Sequence, residues 1–414
     1  MFDRWYASTL SRKLQRPYAH IVFGARQVGK STLIRSLLPD DALIFDLADP
    51  QQRSDLAAHP GEFVQACRAL RRRSKPWFVF VDEVQAVPAL FDAVQHLYDS
   101  DPRRWRFVLC GSSARKLRRT GANLLPGRSM LHRIVPLTLG ERPPPDDPPA
   151  GSRSPLPLPW PKRSGDKRRF PPADLFDRLA YGELPGIAVA RTADRADLLK
   201  AYAAVHLEEE IRREASVRDW GAFVRFLALA AAESGQLLNF AAISQESGIS
   251  QPTVKSYYQL LEDMFVGVSV PAFSQSPRKN LLSTAKFLFF DLGVRHAAAG
   301  LTPSRDVARS NVGSSFEQWV GVELWKRLTY LGDGSLSHFR TKDGAEVDFV
   351  VTRSGKFTPV EVKSTERPTL RDARHVSAFL DEHRGRADHG YVICRCSRPL
   401  ALSERVTALP WFCL

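Results

Sequence analysis

The chain has 414 residues, with 59 Lys and Arg against 45 Asp and Glu, a formal charge of +14. Hydrophobic residues at 43% and charged residues at 25% exclude a disordered or fibrous chain, and the length fits two or three domains. Met1–Tyr6 shows no apolar h-region and no run comes near the ~18 apolar residues of a membrane span; five scattered cysteines do not make a disulfide framework. The expectation is a cytoplasmic protein with no membrane partner and an anionic one, such as DNA.

Short apolar runs at His20–Phe23, Ala42–Leu47, Trp77–Val81, Phe107–Cys110 and Arg133–Leu137 alternate with helix-length segments. Runs apolar on both faces predict a buried parallel sheet with helices on either side, so residues 1–141 read as an α/β nucleotide-binding core. After the first run comes Gly24-Ala25-Arg26-Gln27-Val28-Gly29-Lys30-Ser31-Thr32, which fits G-x-x-x-x-G-K-[ST] between a strand and a helix. The glycines let backbone N–H groups wrap a phosphate. Lys30 would reach the β- and γ-phosphates of ATP, and Ser31 would coordinate Mg²⁺, with the helix dipole adding to the attraction.

The third run ends in Asp82-Glu83. Asp82 is expected to hold the Mg²⁺ shell and Glu83 to act as general base toward water. The fourth ends in Gly111-Ser112-Ser113, where a hydroxyl would sense the γ-phosphate; Ser113 is the catalytic candidate, with Ser112 beside it. Arg128, in Leu125-Pro126-Gly127-Arg128, is the candidate for stabilising transition-state charge in a neighbouring subunit, with Arg118, Arg119 and Arg133 as competitors.

Residues 142–172 hold 11 of the 29 prolines and predict an insertion or linker. Residues 173–236 turn helical, with Leu198–Arg213 and Trp220–Ala232 as long candidates. Within residues 237–300, Ala241–Ser247, a turn at Gly248-Ile249 and a helix from Ser250 spell a helix-turn-helix. Val254, Tyr257, Leu261 and Met264 form its buried stripe, and Gln251, Thr253, Lys255, Ser256 and Gln259 face outward toward bases or phosphates.

Residues 301–414 read as a second α/β domain. Asp348 lies in one strand and Glu361 and Lys363 share a face of the next. With Glu317 on the preceding helix they make a candidate site for Mg²⁺-dependent phosphodiester hydrolysis, or an inert scaffold of the same shape.

These residues resemble the bacterial and archaeal AAA-superfamily (AAA+) P-loop ATPases with a C-terminal domain of unknown function of restriction-endonuclease-like, PD-(D/E)xK-like fold. The resemblance is carried by Gly24–Ser31, Val81-Asp82-Glu83-Val84-Gln85, Cys110-Gly111-Ser112-Ser113, Gly127-Arg128, Leu238-Asn239, Ala345–Asp348 and Glu361-Val362-Lys363. It implies a P-loop AAA+ parallel-sheet ATPase domain, a helical and winged-helix middle module and a C-terminal α/β nuclease-like domain. It also implies ATP hydrolysis and a homo-oligomer, either a hexamer-type ring or a dimer. Gly182-Glu183-Leu184-Pro185-Gly186 departs from the family's Gly-Gly-x-Pro-Glu stretch by one glycine and a displaced acid.

The charge is concentrated. Residues 68–75 carry five basic and no acidic side chains, and residues 103–119 carry seven and none. Arg71 to Lys75 and Arg103 to Arg106 each precede a strand, so in a parallel sheet they should lie opposite the ATP site; of these Arg71, Arg72, Arg73, Arg103 and Arg104 are the expected DNA contacts, beside Thr253 and Lys255.

Overall fold

A computed structural model describes residues 2–113, 125–145, 156–158, 168–207, 211–212, 217, 219–274, 284–341 and 344–414. Two compact units emerge: residues 3–135 with 263–265, and Phe2 with residues 136–262 and 266–414.

The first unit is built on five parallel strands, β1 (Ala19–Phe23), β2 (Leu43–Asp46), β3 (Trp77–Asp82), β4 (Trp105–Gly111) and β5 (Ser129–Arg133), in the order β2-β3-β4-β1-β5. β4 is therefore inserted between the strand that leads into the phosphate loop and the strand that ends in the two acids. All five β1 residues are buried, as a central parallel strand covered on both faces requires. The helix Leu90–Ser100 buries Leu90, Phe91, Val94, Leu97 and Tyr98, which recur at helical spacing. Phe45, Phe63 and Phe107 form a tilted aromatic series in the same core. Phe265 closes it by stacking on Phe23, with ring centroids 5.7 Å apart.

The fifth strand differs from the expectation: it is Ser129–Arg133, not Arg133–Leu137. Its register on β1 runs from Ala19 opposite Ser129 to Phe23 opposite Arg133. Pro136 has no N–H with which to continue the ladder, so the apolar residues after Arg133 leave the sheet.

In the second unit, Asn239 caps the helix Phe240–Ser247 by accepting from the Ala242 N–H, and Gly248 ends that helix at φ 72°. The helix Gln251–Asp263 follows, then β6 (Gly267–Val270) paired antiparallel with β7 (Lys286–Phe289). Tyr258 rather than Tyr257 is the buried tyrosine, packed edge-on against Phe226 and Phe287. The expected helix Leu198–Arg213 starts earlier, as Thr192–Ala201, and continues as a π-helical turn, Tyr202–Leu207; its residues 208–210 and 213 lie outside the described residues. A six-stranded sheet follows: β8 (Ser335–Arg340), β9 (Glu346–Arg353), β10 (Lys356–Val362), β11 (Gly390–Cys394), β12 (Leu400–Ser403) and β13 (Val406–Pro410), ordered β12-β13-β11-β10-β9-β8. The helix Val312–Leu331 packs against it through a largely apolar buried surface.

The proline-rich stretch 142–172 falls mostly outside the described residues. Its described flanks are packed rather than linker-like. Arg142 is buried against Glu183 and Phe170 stacks on Phe2 at 4.3 Å. Glu183 also pairs with the buried Arg178 at 2.5 Å, so the divergent Gly182–Gly186 stretch serves an internal ion cluster of the second unit. Gly182 has φ 68°, and a Cβ there would lie 2.1 Å from Asp291, which accepts the Glu183 N–H. All five cysteines are buried and none is in a disulfide. No helix among the described residues is long and apolar enough to cross a membrane.

Candidate nucleotide site

The parallel register brings the candidate residues to one edge of the sheet. Phe23 lies opposite Gly111 and Arg133, and Asp46 lies opposite Asp82. The phosphate loop, the two acids and the serines after β4 thus leave the C-terminal ends of adjacent strands, where a doubly wound sheet places ligands.

Two glycines shape the loop. A Cβ on Gly24 would come within 2.2 Å of the Ile134 carbonyl oxygen, and Gly29 has φ 85° at the start of the helix Lys30–Arg35. Side chains are thereby kept out where a phosphate must approach the backbone. Val28 is buried, Arg4 donates to its carbonyl at 2.7 Å, and Arg4 also donates to the Val135 carbonyl at 2.8 Å, which clamps the loop to the core. Lys30 is buried and its Nζ donates across the loop to the Ala25 carbonyl at 2.8 Å.

Ser31 Oγ donates to Asp82 Oδ1 at 2.9 Å. A hydroxyl and a carboxylate so joined are the hard oxygen donors that Mg²⁺ prefers, so these residues fit the ion. Burial pushes the Asp82 carboxyl above the usual carboxylate range; the Ser31 hydrogen bond opposes this, and the charges of Glu83 and Asp46 add to it. A cation is the natural partner for a carboxylate in that position. Arg35 lies 2.8 Å from Asp46 and 3.7 Å from Asp82, flanking the site with positive charge.

Glu83 has a left-handed backbone, φ 54°, and is half-buried. Gln85, absent from the sequence-based candidates although it stands in the Asp82–Gln85 motif, proves to be its holder. Gln85 Nε2 donates to Glu83 Oε2 at 2.5 Å and to Ser112 Oγ at 3.0 Å, and Ser112 itself lies 3.5 Å from Glu83. The serine that faces the base is therefore Ser112. Ser113, the catalytic candidate from sequence, is fully buried beside it, as is Ser112.

Arg128 stands away from its own subunit's phosphate loop. It immediately precedes β5, its carbonyl accepts the Ala19 N–H, and its guanidinium lies 2.5 Å from Asp99. Ala19 begins β1 and the phosphate loop follows its end, so Arg128 belongs to the opposite edge of its own subunit's sheet. Arg133 is the arginine at the loop edge, with its guanidinium over the Phe265 ring at 4.8 Å. Arg118 and Arg119 lie outside the described residues.

The basic residues expected to contact DNA divide in two. Arg73 pairs with Asp41 and stacks on Trp77 at 3.5 Å, and Arg104 donates to the Leu70 carbonyl at 2.5 Å and covers Trp105. Arg71, Arg72, Lys75 and Arg103 are exposed. In the second unit Lys255 is exposed, its ammonium 5.3 Å from the Phe240 ring centroid, and Thr253 is half-buried, its hydroxyl 2.9 Å from that of Ser250.

The C-terminal candidates do converge. Val360 pairs with Phe349, which sets Asp348 beside Glu361, and Asp348 Oδ2 accepts the Val362 N–H at 2.8 Å. Lys363 Nζ donates to Glu361 at 2.6 Å. The residue not foreseen is Lys286 on β7, whose Nζ lies 2.9 Å from Glu317, 3.5 Å from Glu346 and 3.9 Å from Asp348.

Residues 16–142 match the family model of an AAA domain. This part of the chain is an AAA-type P-loop ATPase domain. Residues 172–305 match a domain of unknown function (DUF8612) and residues 312–414 another (DUF4143). An uncharacterized protein of Mycobacterium tuberculosis is 25% identical over 409 residues, covering 98% of this chain and 82% of that relative, and one of Mycobacterium bovis gives the same figures. An uncharacterized protein of Haemophilus influenzae is 24% identical over 293 residues, 69% of this chain and 65% of its own. Among solved structures, a DNA polymerase III gamma subunit-related protein of Thermotoga maritima aligns at 12% identity over 63% of this chain and 97% of its own, with a TM-score of 0.25. A Vibrio cholerae protein aligns at 12% identity over 92% and 90%, with a TM-score of 0.18. At those TM-scores neither alignment carries an argument.

Proposed function

We propose that the AAA domain binds and hydrolyses ATP with Mg²⁺, and that turnover drives conformational change in an oligomer of this chain that acts on DNA. The observation that carries the reading is the Ser31–Asp82 contact at 2.9 Å beside the loop Lys30 and the held Glu83. Ser31 and Asp82 would hold Mg²⁺, which supplies positive charge against the phosphates. The loop N–H groups and Lys30 bind and orient the phosphates, the Lys30 ammonium giving up the Ala25 carbonyl to do so. Glu83 accepts a proton from water, and Gln85 and Ser112 fix where its carboxylate points. The exposed Arg71, Arg72, Lys75 and Arg103 support DNA as the partner.

Lys30→Ala is expected to lose nucleotide binding, and Glu83→Gln to keep binding and lose turnover, measured by nucleotide titration and phosphate release. Turnover that survives Glu83→Gln overturns the assignment of the base. An ATPase rate indifferent to duplex, single-stranded and branched DNA overturns the DNA role and leaves the hydrolysis reading standing.

A further inference from the structure

A restriction-endonuclease-like reading of residues 301–414 calls for a divalent cation among Glu317, Asp348 and Glu361. The side chains present do not fit one. Lys286 has only 5% of its side chain exposed, and its ammonium stands within 4 Å of carboxylate oxygens of Glu317, Glu346 and Asp348. Its backbone is fixed, since Val270 pairs with Lys286 across the β6–β7 ladder and Leu237 bridges to Lys286 from the other side. The Phe349 ring lies 5.7 Å below the ammonium. The lysine is thus anchored inside the acid cluster.

The oxygens are also committed. Asp348 gives one to Lys286 and the other to the Val362 N–H, and Glu361 gives one to Lys363. Glu361 Oε2 is buried with no hydrogen-bond partner among the described residues. Mg²⁺ demands near-octahedral oxygen coordination and dehydrates reluctantly, so carboxylates that already share two ammonium groups, Lys286 and Lys363, are a poor host. Among the described residues no group of three or more His, Cys, Asp or Glu side chains is placed to share a metal ion.

We infer that Lys286 is the resident cation of this cluster, that the C-terminal domain therefore binds no divalent metal there and cuts no phosphodiester, and that the cluster fastens β7 to the helix Val312–Leu331 and to β9. Burial alone would lower the Lys286 pKa, but Glu317, Asp348 and Glu346 outweigh it and hold the ammonium above its ordinary value, so it stays charged.

The test uses the full chain without nucleotide, titrated with Mn²⁺ and followed by electron paramagnetic resonance and thermal unfolding, beside Asp348→Asn and Glu361→Gln. Wild-type protein is expected to show no Mn²⁺ site that either substitution removes, and supercoiled plasmid with Mg²⁺ or Mn²⁺ should remain uncut. Stoichiometric Mn²⁺ bound by the wild type and lost in Asp348→Asn, or cleavage lost in that variant, overturns the inference. Lys286→Gln should lower Tm by about 5 °C or more, and an unchanged Tm also overturns it. If Lys286→Gln fails to fold, the wild-type titration decides alone.

Discussion

Gln85 shows how much of this site depends on one side chain with no chemistry of its own. Its amide nitrogen joins Glu83 to Ser112, and Gly111 makes room for it, since a Cβ there would lie 2.7 Å from Gln85 Oε1. Gln85→Ala should leave nucleotide affinity unchanged and lower kcat roughly tenfold, the scale of a lost orienting hydrogen bond of about 1.4 kcal/mol. Gly111→Ala, which displaces the same amide, should repeat the effect. Equal losses in affinity and kcat would make Gln85 a structural residue. A second chain of side chains sets a pH dependence. His20 Nδ1 lies 3.0 Å from His132 Nε2, and Tyr6 Oη lies 3.1 Å from His132 Nδ1. Burial lowers His20 to about 4, and burial together with His20 lowers His132 to about 3. The folded state keeps both neutral while the unfolded chain takes up protons below about 6.5, so their contribution is full above that pH and is lost as pH falls toward 4. His132→Gln should be less stable than wild type at pH 7, and the gap should narrow by up to about 1.4 kcal/mol per pH unit between pH 6 and 5. Urea midpoints at three pH values measure it; a constant gap refutes it.

At the scale of elements, the strand ladder decides which arginines stand beside the phosphate loop of their own subunit. Because β1 and β5 run parallel from Ala19 opposite Ser129, Arg128 and the phosphate loop stand at opposite edges. Arg128→Ala should therefore leave ATP turnover within about twofold and, as a half-exposed pair with Asp99, cost no more than about 1 kcal/mol of stability. Steady-state rates test this, and abolished turnover would mean that Arg128 works on a neighbouring subunit. The core was legible in the sequence where one local signal sufficed. Two-face apolar runs predicted β1 to β4, and the phosphate loop and the Asp82-Glu83 pair followed from residue type and spacing. β5 was misplaced because Ile134, Val135 and Leu137 read as strand although Pro136 cannot extend a ladder. Lys286 was invisible because its partners lie 31, 60 and 62 residues away in sequence. A lone lysine opening the apolar run Phe287–Phe290 carries no signal except that a charge there needs a partner. Gln85 was in view as part of a motif, but its role depends on Ser112 across the sheet.

At the scale of the molecule, the excess positive charge must be separated from the arginines that only hold the fold. Arg73 and Arg104 stack on tryptophans and satisfy carbonyls, and Arg106 donates to the Gln15 carbonyl at 3.1 Å, so the basic runs before β3 and β4 are partly internal. Among the described residues of these runs, Arg71, Arg72, Lys75 and Arg103 are exposed at the edge of the sheet away from the phosphate loop, and Arg68 is exposed beside His96. If the four at the edge contact duplex phosphates, each releases condensed counterions, and log K should fall with log salt at about 0.9 per contact. Replacing all four with glutamine should then flatten the slope by about 3 to 4 and weaken binding by a similar factor on every sequence, since phosphate contacts carry no base information. Because the substitutions sit at the edge opposite Lys30 and Glu83, turnover without DNA should be unchanged while its stimulation by DNA is lost. An unaltered salt slope would move the contact surface to the second unit, where Lys255 and the outward face of the helix Gln251–Asp263 are exposed. Lys255→Ala would then account for about one unit of slope and no more.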